Sequence, residues 1–150
     1  MKEIERKYLI EREDLSFLQL IEGEKIKQAY IQNENSRTVR VRTKGEKAFL
    51  TVKIGNESLN RDEFEYQIPV QDAISMMEIM NLKVLSKIRY EIKFENNLWE
   101  VDVFEGKLDG LIIAEIELES EDESFNKPVW LGREVTYDPS YLNAKLIEKL

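Results

Sequence analysis

The chain of 150 residues contains no cysteine and no histidine. Without cysteine there is no disulfide and no thiol nucleophile. Without either residue, zinc sites of the Cys/His kind and a Ser-His-Asp triad are excluded. Any metal must be held by oxygen, which points to Mg²⁺, Mn²⁺ or Ca²⁺. Long apolar runs are missing too. Nothing approaches the ~20 residues of a membrane span, and the opening MKEIERKYLI lacks the apolar stretch of a signal peptide. The expectation is a cytoplasmic protein with no membrane partner. Positive charge is in deficit: 22 Lys and Arg stand against 30 Asp and Glu, a formal net charge of −8. That balance argues against nucleic acid as a partner.

What is present suits a folded domain. Hydrophobic residues make up 42% of the chain, an ordinary globular share. The length fits a single domain over 1–150 with a core of its own. No linker, low-complexity stretch or long repeat interrupts it. Turn signals cut the chain into strand-length pieces. Lys44-Gly45-Glu46 separates Ser36–Thr43 from Lys47–Ile54, and Gly55-Asn56 with Ser58 precedes Asn60–Ile68. Glu95-Asn96-Asn97 separates Leu85–Phe94 from Leu98–Phe104. Asp109-Gly110 then leads into Leu111–Glu119 as a hairpin signal. The spacing predicts consecutive antiparallel hairpins.

Three segments read as helices. Asp14 can cap LSFLQLI. Pro69 precedes VQDAISMMEIMNL, with Ala73, Met76, Met77 and Met80 at helical spacing. Asp138-Pro139 opens SYLNAKLIEKL, with Leu142, Leu146 and Leu150 on one stripe. The N-terminal KEIERKYLIERED has helix propensity throughout, so helix and strand both stay open there.

Charges recur with a period of two, the spacing that puts strand side chains on one face. Glu3, Glu5 and Lys7 alternate with Ile4, Arg6 and Tyr8. The same holds for Arg40 and Arg42, for Thr51 and Lys53, and for Arg61, Glu63 and Glu65. It holds again for Lys87, Arg89 and Glu91, for Glu100 and Asp102, and for Glu115, Glu117 and Glu119. A sheet with one solvated face is the ordinary source of such alternation. Here, however, the polar face consists of full charges segregated by strand. Like charges side by side are costly unless something of opposite sign lies between them. Carboxylate pairs want a divalent cation, and basic pairs want a multivalent anion. An α+β fold, a closed antiparallel barrel with charges inside and amphipathic helices packed outside, accounts for both faces.

Glu3-Ile4-Glu5-Arg6-Lys7 is similar to the ExExK signature of the CYTH superfamily, the triphosphate tunnel metalloenzymes. Downstream, Arg40-x-Arg42, Thr51-x-Lys53, Arg61-x-Glu63-x-Glu65, Lys87-x-Arg89, Asp102 and Glu115-x-Glu117 resemble that family in order. The tail KPVWLGREVTYDPSYLNAKL looks like the ending of its short bacterial members. The resemblance covers essentially the whole chain. It implies an eight-stranded antiparallel tunnel and metal-dependent chemistry on a triphosphate. Compact length and the EIERKYLI opening resemble the bacterial tripolyphosphatases. Class IV adenylyl cyclase and thiamine triphosphatase are same-fold alternatives, and a non-catalytic polyphosphate-binding module is an alternative of a different class.

In that reading Arg40, Arg42, Lys53, Lys87 and Arg89 form the phosphate cradle, with Arg61 beside them. Glu3, Glu5, Glu115 and Glu117 come from the first and last strands. They converge if the barrel closes, which suits Mg²⁺ or Mn²⁺. Asp102 and Glu63 are further ligands or water positioners. Lys7 contacts phosphate or helps to activate water, and neighbouring cations would lower its pKa. By resemblance to thiamine triphosphatases Tyr30 pairs with Lys7, while a packed aromatic is the other reading of Tyr30. The partners are a small-molecule triphosphate and divalent cations. Oligomeric state stays open, with a homodimer among the options.

Overall fold

The N-terminal segment, a good helix former by propensity, is a strand. Its edges pair with two others, and that pairing outweighs local preference. In the computed structural model, which describes residues 2–55 and 60–150, the strands are β1 (Lys2–Leu9), β2 (Glu24–Glu34), β3 (Arg37–Lys44), β4 (Lys47–Ile54), β5 (Asn60–Ile68), β6 (Leu85–Phe94), β7 (Asn97–Phe104) and β8 (Ile112–Glu117). They close into a barrel in the order β1-β5-β4-β3-β2-β6-β7-β8. All neighbours are antiparallel, and β8 returns to β1. Closure removes the sheet edges that an open meander would leave unpaired. Asn56 and Ser58, expected in a turn, lie outside the described residues. No helix among the described residues is long and apolar enough to cross a membrane.

Alternation decides which face is wet. Tyr8, Trp99, Val101, Ala114 and Ile116 point away from the tunnel and form one buried cluster on the outer wall. Phe17, Phe125, Trp130 and Leu131 pack over it. The stretch LSFLQLI does not form the expected two-turn helix. Two 3₁₀ turns, Arg12–Asp14 and Ser16–Leu20, occupy this region. The tighter turn superposes side chains three apart, so Leu15, Leu18 and Ile21 all reach the same wall. The expected Asp14 cap rests on a side chain outside those described. Opposite, helix α1 (Val70–Ile79) follows Pro69 as expected and sets Ala73 and Met77 against Ala29, Val41 and Ala48. It ends where Asn81 takes a positive φ of 50°, a conformation Asn tolerates.

The C-terminal segment differs more. Asp138 does cap, accepting from Ser140 N at 3.0 Å, but the capped element is a single 3₁₀ turn, Pro139–Tyr141. Leu142 is extended (φ −68°, ψ 139°) and restarts the chain into α2 (Asn143–Leu146) and a 3₁₀ turn, Ile147–Lys149. This segment does not lie on the outer wall. Leu146 and Ile147 pack with Leu85, Phe104 and Ile113, which share strand parity with the tunnel-facing Lys87, Asp102 and Glu115. The tunnel lining therefore turns apolar toward one end, and the C-terminal segment fills it. Asn33 Nδ2 holds the segment by donating to Ala144 O at 2.7 Å.

Candidate active site

Inside the barrel, strand parity brings side chains from all eight strands to one cavity of about 250 Å³. Its wall includes Glu3, Glu5 and Lys7 from β1, Tyr30 from β2, Arg40, Arg42 and Lys44 from β3, and Lys53 from β4. Arg61, Glu63 and Glu65 come from β5, Arg89 from β6, Glu100 from β7, and Glu115 and Glu117 from β8. Leu142, Asn143 and Ala144 line the same space, near the end filled by α2.

Six of the basic side chains gather in pairs around three acids. Lys87 Nζ lies 2.6 Å from Asp102 Oδ2, and Arg89 donates Nε and Nη2 to the two Asp102 oxygens at 2.7 and 2.8 Å. Burial alone would raise the Asp102 carboxyl, yet Arg89 and Lys87 hold it well below the usual carboxylate range. Burial, opposed by Asp102, brings Lys87 down to about 8. Lys53 and Arg61 meet Glu3 at 2.9 and 3.0 Å. Arg40 and Arg42 stand 3.5 and 3.6 Å from Glu65. Burial beside Arg40 and Arg89 lowers Arg42 to about 9. A guanidinium does not give up its proton in proteins, so this reads as an unmet demand for an anion. Arg40, Arg42 and Arg61 each keep a buried Nε without a partner.

The carboxylates are crowded. Register sets Glu5 beside Glu117, Lys7 beside Glu115, and Glu100 beside Glu115. Burial and the charges of Glu3, Glu5 and Glu100 push the Glu117 carboxyl up. Burial also raises Glu100, against Arg89 and with Glu115 and Asp102. Burial opposes ionisation of Glu3 and Glu5 as well, but Lys53, Arg61 and Lys7 bring both below their ordinary value. Among the described residues, no three acids stand close enough to hold one cation as placed. Glu3 and Glu5 lie on Lys53, Arg61 and Lys7 instead. The donor set itself is all oxygen and mutually repelling around one space, which fits a hard divalent cation.

Lys7 departs from expectation. Its Nζ is 3.5 Å from Glu5 and 3.8 Å from Glu115. Burial works against its charge, but these two acids raise its pKa overall. The neighbours that matter are anions, so Lys7 stays a cation and is not poised to accept a proton. No hydrogen bond joins it to Tyr30 among the described residues. The Tyr30 hydroxyl accepts from Gln28 Nε2 at 3.4 Å, and burial raises its pKa despite Arg40 and Lys7.

Of the residues singled out from sequence, Lys87 and Asp102 do not line the cavity. They are fully buried behind it. Asp102 has both oxygens committed to Lys87 and Arg89, so the geometry sets it apart from the acids that line the cavity. Glu65 and Glu100 also line the cavity. The period of two puts both on the charged face, beside Glu63 and Asp102, but gives neither a role. Asn143, whose Oδ1 lies 3.4 Å from Lys87 Nζ, reaches the site through the break at Leu142, for which the sequence carries no signal.

Comparison with known proteins bears on the same constellation. A family model described as the CYTH domain matches residues 1–148. An inorganic triphosphatase of Acetivibrio thermocellus is 44% identical over 148 residues, covering 98% of this chain and 94% of that one. An inorganic triphosphatase of Nitrosomonas europaea is 35% identical over 150 residues, covering 97% of both. A crystal structure described as an inorganic triphosphatase superposes with a TM-score of 0.68 at 33% identity, covering 97% of this chain and 93% of that one.

Proposed function

The chain belongs to the CYTH domain family, and from that premise we propose that it is a metal-dependent inorganic triphosphatase, hydrolysing tripolyphosphate to pyrophosphate and phosphate. The observation that carries this reading is the cavity wall. Basic side chains from β1, β3, β4, β5 and β6 face acids from β1, β5, β7 and β8 across about 250 Å³. Among the described residues its only aromatic is Tyr30. A chain of phosphates needs such a wall along its whole length, whereas a nucleoside or thiamine group would need apolar surface for its ring. Relatives aligned over 94% and 97% of their own length, named inorganic triphosphatases, support the same choice.

In this reading Arg40, Arg42, Lys53, Arg61 and Arg89 bind the phosphate oxygens. Arginine's planar fork suits bidentate contact. Asp102 holds Arg89 at one fixed angle through two hydrogen bonds and keeps Lys87 in place behind it. Lys7, held charged by Glu5 and Glu115, contributes a cation where negative charge grows during phosphoryl transfer. Glu3, Glu5, Glu63, Glu115 and Glu117 would hold Mg²⁺ or Mn²⁺. The bound cation supplies charge neutralisation and polarisation of the phosphoryl group. Closure of one tunnel end by α2 limits water around the substrate.

The test is phosphate release from tripolyphosphate, ATP, thiamine triphosphate and long-chain polyphosphate, each with Mg²⁺ or Mn²⁺ and again after EDTA, with cyclic AMP scored in the ATP arm. Tripolyphosphate turnover that EDTA abolishes and metal restores is expected. Cyclic AMP formation, preference for thiamine triphosphate, binding without turnover, or full activity after exhaustive chelation would each overturn the reading.

A further inference from the structure

Two kinds of carboxylate meet arginine in this tunnel, and they differ in how firmly they do so. Asp102 is fully buried and bonds Arg89 at 2.7 and 2.8 Å. Glu65 is looser. Its Oε2 stands 3.5 Å from Arg40 Nη2 and 3.6 Å from Arg42 Nη2, and its side chain is 31% exposed. Its one short hydrogen bond comes from Thr51 Oγ1 at 2.8 Å. Thr51 is fully buried and in turn accepts from Arg40 Nη2 at 3.3 Å. Glu65 is thus tethered by a hydroxyl and merely leans on the two arginines. The cradle retains unspent capacity, since Arg40 Nε and Arg42 Nε are buried without partners.

We propose that Glu65 is an exchangeable counter-anion: it neutralises Arg40 and Arg42 while the tunnel is empty, and a substrate phosphate displaces it. This rests on the triphosphate reading above and adds to it the group that sets how tightly the substrate is held. Carboxylate and phosphate oxygens are both acceptors for the same Nη donors, and both are anions. They cannot share those donors at hydrogen-bond distance without strong repulsion. Asp102 has no route out, being wholly buried under its partners. Glu65 faces the cavity and is part exposed, so it can swing toward solvent when phosphate arrives. The glutamate therefore stabilises the empty protein and opposes binding.

Opposite signs follow for two measurements on Glu65→Gln, which keeps the shape and still accepts from Thr51. Calorimetry would follow a tripolyphosphate analogue with non-hydrolysable imido bridges, at saturating Mg²⁺. Binding should tighten about tenfold, ~1.4 kcal/mol, and the KM for tripolyphosphate should fall. The ligand-free melting temperature should also fall. Thr51→Val removes the tether while leaving the charge and should give a smaller gain in affinity, which keeps the test available if Glu65→Gln does not fold. Unchanged or weaker binding would overturn the proposal and make Glu65 a positioning residue for the arginines. A raised Mg²⁺ requirement would overturn it by making Glu65 a cation ligand. If wild type and variants alike fail to bind the analogue, the triphosphate reading itself fails and takes the proposal with it.

Discussion

Glu5 and Lys7 stand two residues apart on one face of β1, 3.5 Å from each other, and their chemistry diverges. Glu5 brings a negative charge to a wall where Glu117 is its cross-strand neighbour. Lys7 is what keeps Glu5 and Glu115 from facing each other unscreened. Glu5→Gln should lower cation affinity, and raising Mn²⁺ should partly restore turnover. Lys7→Ala removes no ligand, so added metal should not restore it. Losing one charged contact to phosphate in a dry site costs roughly 2–4 kcal/mol of transition-state stabilisation, or about 10²–10³-fold in rate. Phosphate release against metal concentration separates the two variants, with circular dichroism as the folding control. Losses under about threefold in both, less than ~1 kcal/mol, would leave the Glu3-x-Glu5-x-Lys7 face with no part in the reaction.

At the scale of the element, α2 is the informative piece. Four residues cannot sustain a helix alone, so α2 exists because Leu146, 1% exposed, is inserted against Leu85, Phe104 and Ile113. Leu146→Ala should cost ~2–5 kcal/mol, the usual range for a truncated core leucine. Met77→Ala, on α1 outside the barrel, should cost stability by the same mechanism. Only the Leu146 change should also raise the KM for tripolyphosphate, because Asn143 reaches Lys87 from the same turn of chain. Equal KM values in the two variants would reduce α2 to a plug without influence on the site. The two helices also mark where sequence stops being legible. Strand parity is strictly local, so the period of two carried the tunnel face from Glu3 to Glu117, and α1 followed from Pro69 and its methionine spacing. The broken C-terminal helix depends on where Leu146 and Asn143 must go once the barrel exists. That is a long-range demand, and it overrides a capping signal that is itself correctly placed at Asp138. The charge state of Lys7 was illegible for the same reason: Glu115 lies far along the chain and beside it only after β8 closes on β1.

For the whole molecule, a net charge of −8 coexists with an anion site because the local balance differs. Eight lysines and arginines and seven glutamates line the cavity, so it carries about one excess positive charge when all are ionised. A bare tripolyphosphate would overload it with negative charge, and a bare divalent cation would meet carboxylates already engaged by Lys7, Lys53 and Arg61. Together they bring less net negative charge than tripolyphosphate alone, and each relieves part of the repulsion the other would cause. Binding should therefore be strongly coupled. Mg²⁺ alone or the imido analogue alone should raise the melting temperature slightly, and the pair should raise it by more than the sum. At a ligand excess of about 100 Kd the stabilisation is ~2.7 kcal/mol, or roughly 5–10 °C for a chain of this size. The pH dependence has a definite sign. Burial, Glu3, Glu5 and Glu100 raise Glu117 above its ordinary 4.5. In the ligand-free protein, the stability gained from protonated Glu117 is fully present below its unfolded pKa and is lost as pH rises through the folded one. A cation needs the ionised form, so the Mg²⁺-dependent part of the shift should grow as pH rises through the same window. Thermal melts across that window, with each ligand singly and with both, measure the coupling. Additive shifts, or a shift from the analogue alone as large as with Mg²⁺ at every pH, would remove the cation from the site.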